Sequence, residues 1–290
     1  MNDLLLTEAA RNAAAEFVAH PSHALLIVAP AGSGKATFAR AIASAFLDID
    51  SKNLDNQPYF RHLAPVDRKA ISVESVRGVI HFLSLRVPGA TEKGSELRVV
   101  LIESAESLTP QAQNALLKTI EEPPAGTVII LTAVHEQALL PTVRSRTRLM
   151  ALQPVTIENA TTYFASHGYE AAAVRKALLM SGGLVGLTQA LLDADTAHPL
   201  FAAATKAREL LLQTPFERLL AADTLARRPE LWQDTLAILQ RMADIGLQQA
   251  KDEQACRRWQ RVLAAAYEAA RLGQSNAQPK LATLNFMLAL

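Results

Sequence analysis

Residues 25–47 read LLIVAPAGSGKATFARAIASAFL. A short aliphatic run gives way to Pro30, Gly32 and Gly34, and then to a segment whose apolar residues recur at helical spacing. The first part predicts a buried strand over 24–29, because the run is brief and bounded by turn residues. The last part predicts a helix over 36–47, with Phe38, Ile42 and Phe46 on one face. A strand turning through glycines straight into a helix points the backbone N–H groups of the turn into one small space, where they favour an anion. This joint constrains the chain to an α/β architecture more than any other stretch does.

The spacing is that of a phosphate-binding loop, G-x-x-x-x-G-K-[ST], in which backbone N–H groups cradle phosphates, the lysine reaches the terminal oxygens and the hydroxyl holds magnesium. The positions are filled by Ala29, Pro30, Ala31, Gly32, Ser33, Gly34, Lys35 and Ala36. Gly32, Gly34 and Lys35 are in place. The first glycine is Ala29, and Ala36 stands where the hydroxyl belongs. Thr37 supplies a hydroxyl one residue late, about 100° further round the helix, so it is expected to point elsewhere. The sequence thus predicts a vestigial nucleotide loop built on Gly32, Gly34, Lys35 and Thr37. Nucleotide binding is expected to be weak or absent, since Ala29 adds a methyl and Pro30 removes an N–H where the backbone should curl round phosphate.

Alternation continues beyond the loop. Helices are expected over 72–85, with Ser72 and Ser75 as candidate caps, and over 109–124, with Thr109 as N-cap, Pro110 in the first turn and Pro123–Pro124 as the stop. Strands are expected over 97–103, 126–134 and 146–152. The segment DIDSKNLDNQPYFRHLAPV reads as a polar connector. Continuous apolar strands alternating with helices imply a parallel sheet covered on both faces. After Pro154 the strand signal stops. Three short helices precede an Ala- and Leu-rich helical region punctuated by Pro215, Pro229, Gly273 and Pro279. The expected organisation is an α/β domain over 1–152, a small helical domain over 153–195 and a helical domain over 196–290. In the last helix, Leu281, Leu284, Met287 and Leu288 recur at helical spacing and are expected in a core or a subunit seam.

A hydrolytic site of this kind also needs an acid at the end of a central strand to hold magnesium, and a second to activate water. The corresponding residues are Glu103 and Ser104. Glu103 reads either as a degenerate magnesium ligand or as a strand-end carboxylate facing solvent. Ser104 cannot accept a proton at neutral pH. Losing general-base assistance alone costs roughly 10²–10⁴ in rate, so useful ATP turnover is not expected.

Bulk properties add exclusions. Lys plus Arg number 29 against 28 for Asp plus Glu, a net charge of +1, so any contact with nucleic acid must be a local patch. Cys256 is the one cysteine, which rules out a disulfide within the chain and a cysteine-rich zinc site. That usage fits the cytoplasm. No apolar run reaches the ~18 residues of a membrane span, and the N-terminus reads as an amphipathic helix rather than a signal peptide. The basic stretch CRRWQR at 256–261 reads either as a surface for DNA or a partner, or as a solvated helix face.

The stretch NALLKTIEEPPAGTVIILTAVHEQALLPTVRSRTRLMAL, 114–152, carries the most specific signal. It resembles the AAA+ subunits of clamp loaders, in which an LLKTLEEPP helix precedes a sensor strand and an SRC motif. HLAPVDRKAISVESVRGVIHFLSL, SGGLVGLTQALL and NAQPKLATLNFMLAL resemble further parts of that family, so the likeness runs nearly end to end. The degenerate loop resembles the delta-prime type of bacterial DNA polymerase III. The resemblance implies an AAA+ P-loop domain, a helical lid and an all-α collar that assembles subunits. It implies a non-hydrolysing stator, in a ring with gamma/tau-type and delta-type subunits, that helps place a sliding clamp on primed DNA. It implies that Arg146, in the SRT at 145–147, is an arginine finger acting in trans; on residues alone it is a surface arginine at a strand start. Thr132 corresponds to a sensor remnant. The chain departs from the family pattern in lacking the four-cysteine zinc module, in having Thr147 for the motif's cysteine, and in lacking a lid arginine in SGGLVGL. A working gamma-type ATPase and a P-loop kinase are the rival readings.

Overall fold

The computed structural model describes residues 4–66, 69–85, 97–274 and 278–290. They form two compact units, Met1–Gln153 and Pro154–Leu290.

The first unit is a five-stranded parallel sheet of order β2-β3-β4-β1-β5. Its elements are α1 (Glu8–Ala19), β1 (Ala24–Val28), α2 (Lys35–Leu47), β2 (Phe60–Leu63), α3 (Val73–Ser84), β3 (Arg98–Ile102), α4 (Pro110–Glu121), β4 (Thr127–Ala133), α5 (Pro141–Arg144) and β5 (Arg148–Ala151). The strands have two buried faces, which is why they read as unbroken apolar runs. Strand side chains alternate: Leu25 and Ile27 of β1 join a core with Phe17 of α1 and Phe38 and Ile42 of α2, whereas Ala24 and Leu26 join another with α3 and α4. Each fully buried Leu or Ile contributes about 1.5–3 kcal/mol, so a one-residue slip of β1 would exchange both faces. Ser72 and Thr109 are the observed N-caps of α3 and α4, accepting from the N–H groups of Ser75 and Ala112.

Two local expectations differ. The polar connector contains β2, a short edge strand in which only Phe60 is buried. A four-residue segment with Arg61 and His62 exposed carries no apolar pattern; it is a strand because β3 offers it a hydrogen-bonding edge. The last strand starts at Arg148, so Arg146 lies in the turn before it, where its N–H donates to the Val143 carbonyl.

The second unit is helical: α6 (Ile157–Ser166), α7 (Ala171–Ser181), α8 (Val185–Leu192), α9 (Phe201–Leu212), α10 (Pro215–Ala226), α11 (Pro229–Gln249), α12 (Glu253–Gln274) and α13 (Pro279–Ala289). Pro215, Pro229 and Pro279 each open a helix, where a missing N–H costs nothing. Thr214 and Glu217 close a capping box on α10. One core joins α8 to α13 and includes an edge-on Trp232–Phe286 pair at 5.1 Å. Gly246 lets α11 and α12 approach, since a Cβ there would lie 2.2 Å from the Trp259 ring. The apolar residues of α13 divide: Phe286 and Met287 are buried, while Leu281 and Leu288 are 55% and 71% exposed.

Candidate functional site

β1 is flanked by β4 and β5, so the loop after Val28 emerges inside the sheet at its C-terminal edge. The Ala29 N–H donates to the Ala133 carbonyl at 3.1 Å, carrying the ladder one residue past the strand. Gly32 and Gly34 take φ of 78° and 86°, left-handed conformations that side chains disfavour, and Gly34 is the N-cap of α2. The loop therefore has the turn that its glycines predict.

Lys35 is 8% exposed, and its Nζ lies 3.4 Å from the Pro30 carbonyl of its own loop. Burial pulls its pKa below the ordinary lysine value, against the opposing charges of Glu106 and then Glu103. The lysine is thus folded back on its own loop. Ala36 brings no oxygen to the helix start, and Thr37 is exposed on α2. Ser33 Oγ and Glu106 Oε2, on the loops after β1 and β3, are buried without a hydrogen-bond partner among the described residues.

At the end of β3, the Glu103 carboxylate meets His62 Nε2 at 2.9 Å across the β2–β3 pair. His62 carried no signal in the sequence, because β2 itself did not. Ser104 has φ 51° and ψ 55°, and its N–H donates to Thr132 Oγ1 at 3.1 Å. Thr132 is 1% exposed. The Thr132 hydroxyl therefore holds the left-handed turn that leaves β3. Glu106, in the 3-10 turn Ala105–Ser107, acts on the Lys35 charge more strongly than Glu103 does.

Arg146 lies elsewhere. Arg148 is level with Leu25, near the start of β1, so the Ser145–Thr147 turn sits at the N-terminal edge of the sheet. The Lys35 loop leaves the opposite edge, about 16 Å away along five residues of strand. The Arg146 side chain is 38% exposed. Its Nε donates to Glu121 at the end of α4, and its Nη1 donates to the Thr142 carbonyl at 3.0 Å and to Ser145 Oγ at 3.2 Å. These contacts leave Nη2 without a described partner. Ser22, His23 and Arg148 line the recess beside it, of about 290 Å³. Arg148 is tied to Glu16 at 2.9 Å, and Arg144 lies 4.0 Å from Glu136.

Among the described residues no group of three His, Cys, Asp or Glu side chains could hold a metal ion. Among them, too, no helix is long and apolar enough to cross a membrane.

A parallel sheet of order 2-3-4-1-5, with a glycine loop after its first strand and a helical C-terminal part, defines a P-loop protein of the AAA+ type. The model of the family "DNA polymerase III, delta subunit" matches residues 11–156. The chain belongs to that family. It is 28% identical over 187 residues to DNA polymerase III subunit delta' of Haemophilus influenzae, covering 60% of this chain and 54% of that one. It is 37% identical over 142 residues to the Escherichia coli K12 delta' subunit, covering 48% and 40%. It is 30% identical over 135 residues to the gamma/tau subunit of Mycobacterium tuberculosis H37Rv, covering 43% and 23%. The chain spans about half the length of the delta' relatives it matches. A crystal structure of a DNA polymerase III gamma subunit-related protein from Thermotoga maritima shares the fold, with TM-score 0.53 and 18% identity over 96% of this chain and 97% of that one.

Proposed function

We propose that this protein is a delta-prime-type subunit of the DNA polymerase III clamp loader, which does not hydrolyse ATP itself and presents Arg146 to nucleotide held by a neighbouring subunit. The observation that carries this is the position of Arg146. It projects from the sheet edge opposite its own phosphate loop, so it can complete only a site that belongs to another chain. A guanidinium there spreads positive charge over the oxygens of a transferring phosphoryl group, a contribution worth 10³–10⁵ in rate for fingers of this kind. Glu121, Thr142 and Ser145 orient it and leave Nη2 to reach outward.

A magnesium nucleotide does not fit the chain's own loop. Ala36 has no hydroxyl for the metal, Ser104 is no base, Glu103 is engaged by His62, and Lys35 is buried against the Pro30 carbonyl. Thr132, the sensor remnant, holds a backbone turn in place. In this reading residues 153–195 are a lid without its sensing arginine, and 196–290 are the collar that joins gamma/tau- and delta-type subunits in a ring. The ring would act in the cytoplasm on a sliding clamp and primer-template DNA. The test is ATP hydrolysis by a complex reconstituted with those subunits, stimulated by clamp and DNA. Arg146→Ala should remove most of the stimulated rate while the complex still assembles; an unchanged rate, or failure to assemble, overturns the assignment.

A further inference from the structure

The arginines of the CRRWQR stretch gather round a groove in the second unit. Arg257, Arg258 and Arg261 on the first turns of α12 face Arg218 on α10 across a space of about 790 Å³, which the carboxylates of Asp252 and Glu253 also line, so the four arginines outnumber the acids there. Arg257 is paired with Glu253 at 2.6 Å. Among the described residues Arg218, Arg258 and Arg261 have no ion-pair partner. Arg218 Nε donates to the Leu210 carbonyl at 2.8 Å, and Arg258 Nη2 to the Leu211 carbonyl at 3.4 Å. Both carbonyls belong to the last turn of α9, whose partial negative charge suits cations. These bonds hold two like charges close enough that Arg258 adds to burial in lowering the pKa of Arg218. Repelling guanidiniums fixed side by side, with forked N–H groups left over, form a receptor for an anion.

We infer that the groove between α10 and the start of α12 binds the sugar–phosphate backbone of single-stranded nucleic acid without reading its sequence. Trp259, the aromatic ring in the lining, lies against Gly246 of α11 and carries the Arg258 guanidinium 5.9 Å from its centre, so the groove offers charge to phosphates before it offers a ring to bases. An acidic protein segment would need apolar anchors, and the lining is mainly charged and polar. The inference rests on the clamp-loader reading only in choosing nucleic acid as the anion.

The test is fluorescence anisotropy of a labelled oligothymidylate with the full chain, titrated at several salt concentrations. Arg258→Glu with Arg261→Glu should weaken binding about tenfold or more, and the corresponding alanine pair should make the log–log salt slope about 1.4 shallower, the value for two lost phosphate contacts on a single strand. Arg271→Ala, paired with Glu268 on the same helix, should change neither. Far-UV circular dichroism and Tm confirm that the variants fold. No binding by the parent protein, or equal binding by the glutamate pair, overturns the proposal. Equal competition by polyglutamate of matched charge overturns the choice of nucleic acid. None of these readouts depends on Arg146 or on ATP hydrolysis by another subunit, so failure here is distinguishable from failure of the proposed function.

Discussion

Arg146 and Lys35 stand at opposite ends of β1, one before the strand level with its start and the other on the helix after its end. A short parallel strand therefore separates the Arg146 guanidinium from the glycine loop of the same chain. In the reconstituted complex, Arg146→Ala should lower clamp- and DNA-stimulated ATP hydrolysis by at least tenfold. Arg146→Lys should rescue poorly, since an ammonium cannot form a planar fork. Arg148→Ala should do much less, because that side chain is tied to Glu16 of α1. Equal effects of the Arg146 and Arg148 alanine variants would remove the finger assignment.

The isolated protein should hydrolyse ATP no faster than a blank, and calorimetry should detect no tight nucleotide binding. Lys35 is already held by Pro30 and opposed by Glu106. Turnover that disappears in Lys35→Ala would contradict this.

Thr132→Val should destabilise the first unit by about 1 kcal/mol, the lower end of the cost of leaving a donor unsatisfied, since this one is partly buried. The donor is the Ser104 N–H in its left-handed turn. A urea midpoint unchanged from that of the parent protein would show that Ser104 finds another acceptor.

Gly246→Ala should destabilise the second unit by about 1–3 kcal/mol, as overpacking does, because the new methyl would meet the Trp259 ring. Trp259 emission should shift to the red as the ring is displaced. Unaltered stability would mean that α12 moves aside freely.

His198 gives a pH dependence. Its Nδ1 accepts from the Leu200 N–H at 3.2 Å, and burial holds its pKa below the ordinary value of 6.5, against Asp195. The neutral form is the one that folds best. Its contribution is complete above pH 6.5 and is lost as pH falls through the lowered folded value. His198→Asn, which can keep the acceptor but does not titrate, should flatten the fall in urea midpoint between pH 7 and pH 5. An identical fall in both proteins would place the titration elsewhere.

What could be read from the sequence was local. The strand–loop–helix at 24–47, the caps at Ser72 and Thr109, the proline-opened helices of the second unit and the losses at Ala36 and Ser104 all depend on neighbours within a few positions. Periodicity, capping chemistry and side-chain inventory act over that range. The edge strand at Phe60–Leu63 was hidden because its stability comes from β3 and not from its own residues. The division of α13 into a buried Phe286 and an exposed Leu288 likewise depends on which neighbours cover it.

Sequence by itself determined which side chains stand at the strand–loop–helix of 24–47 and at the end of β3, with Ala36 where the loop pattern has a hydroxyl and Ser104 where it has a second acid. No folding can add a hydroxyl to Ala36 or a carboxylate to Ser104. Tertiary structure alone decided what the remaining groups do. It set His62 against Glu103 and Thr132 under Ser104, it brought the charge of Glu106 to bear on Lys35, and it carried Arg146 to the far edge of the sheet beside Glu121. Each of these relations joins segments far apart along the chain. They arise because parallel strands bring distant loops to a common edge, so their geometry is a property of the sheet order and register.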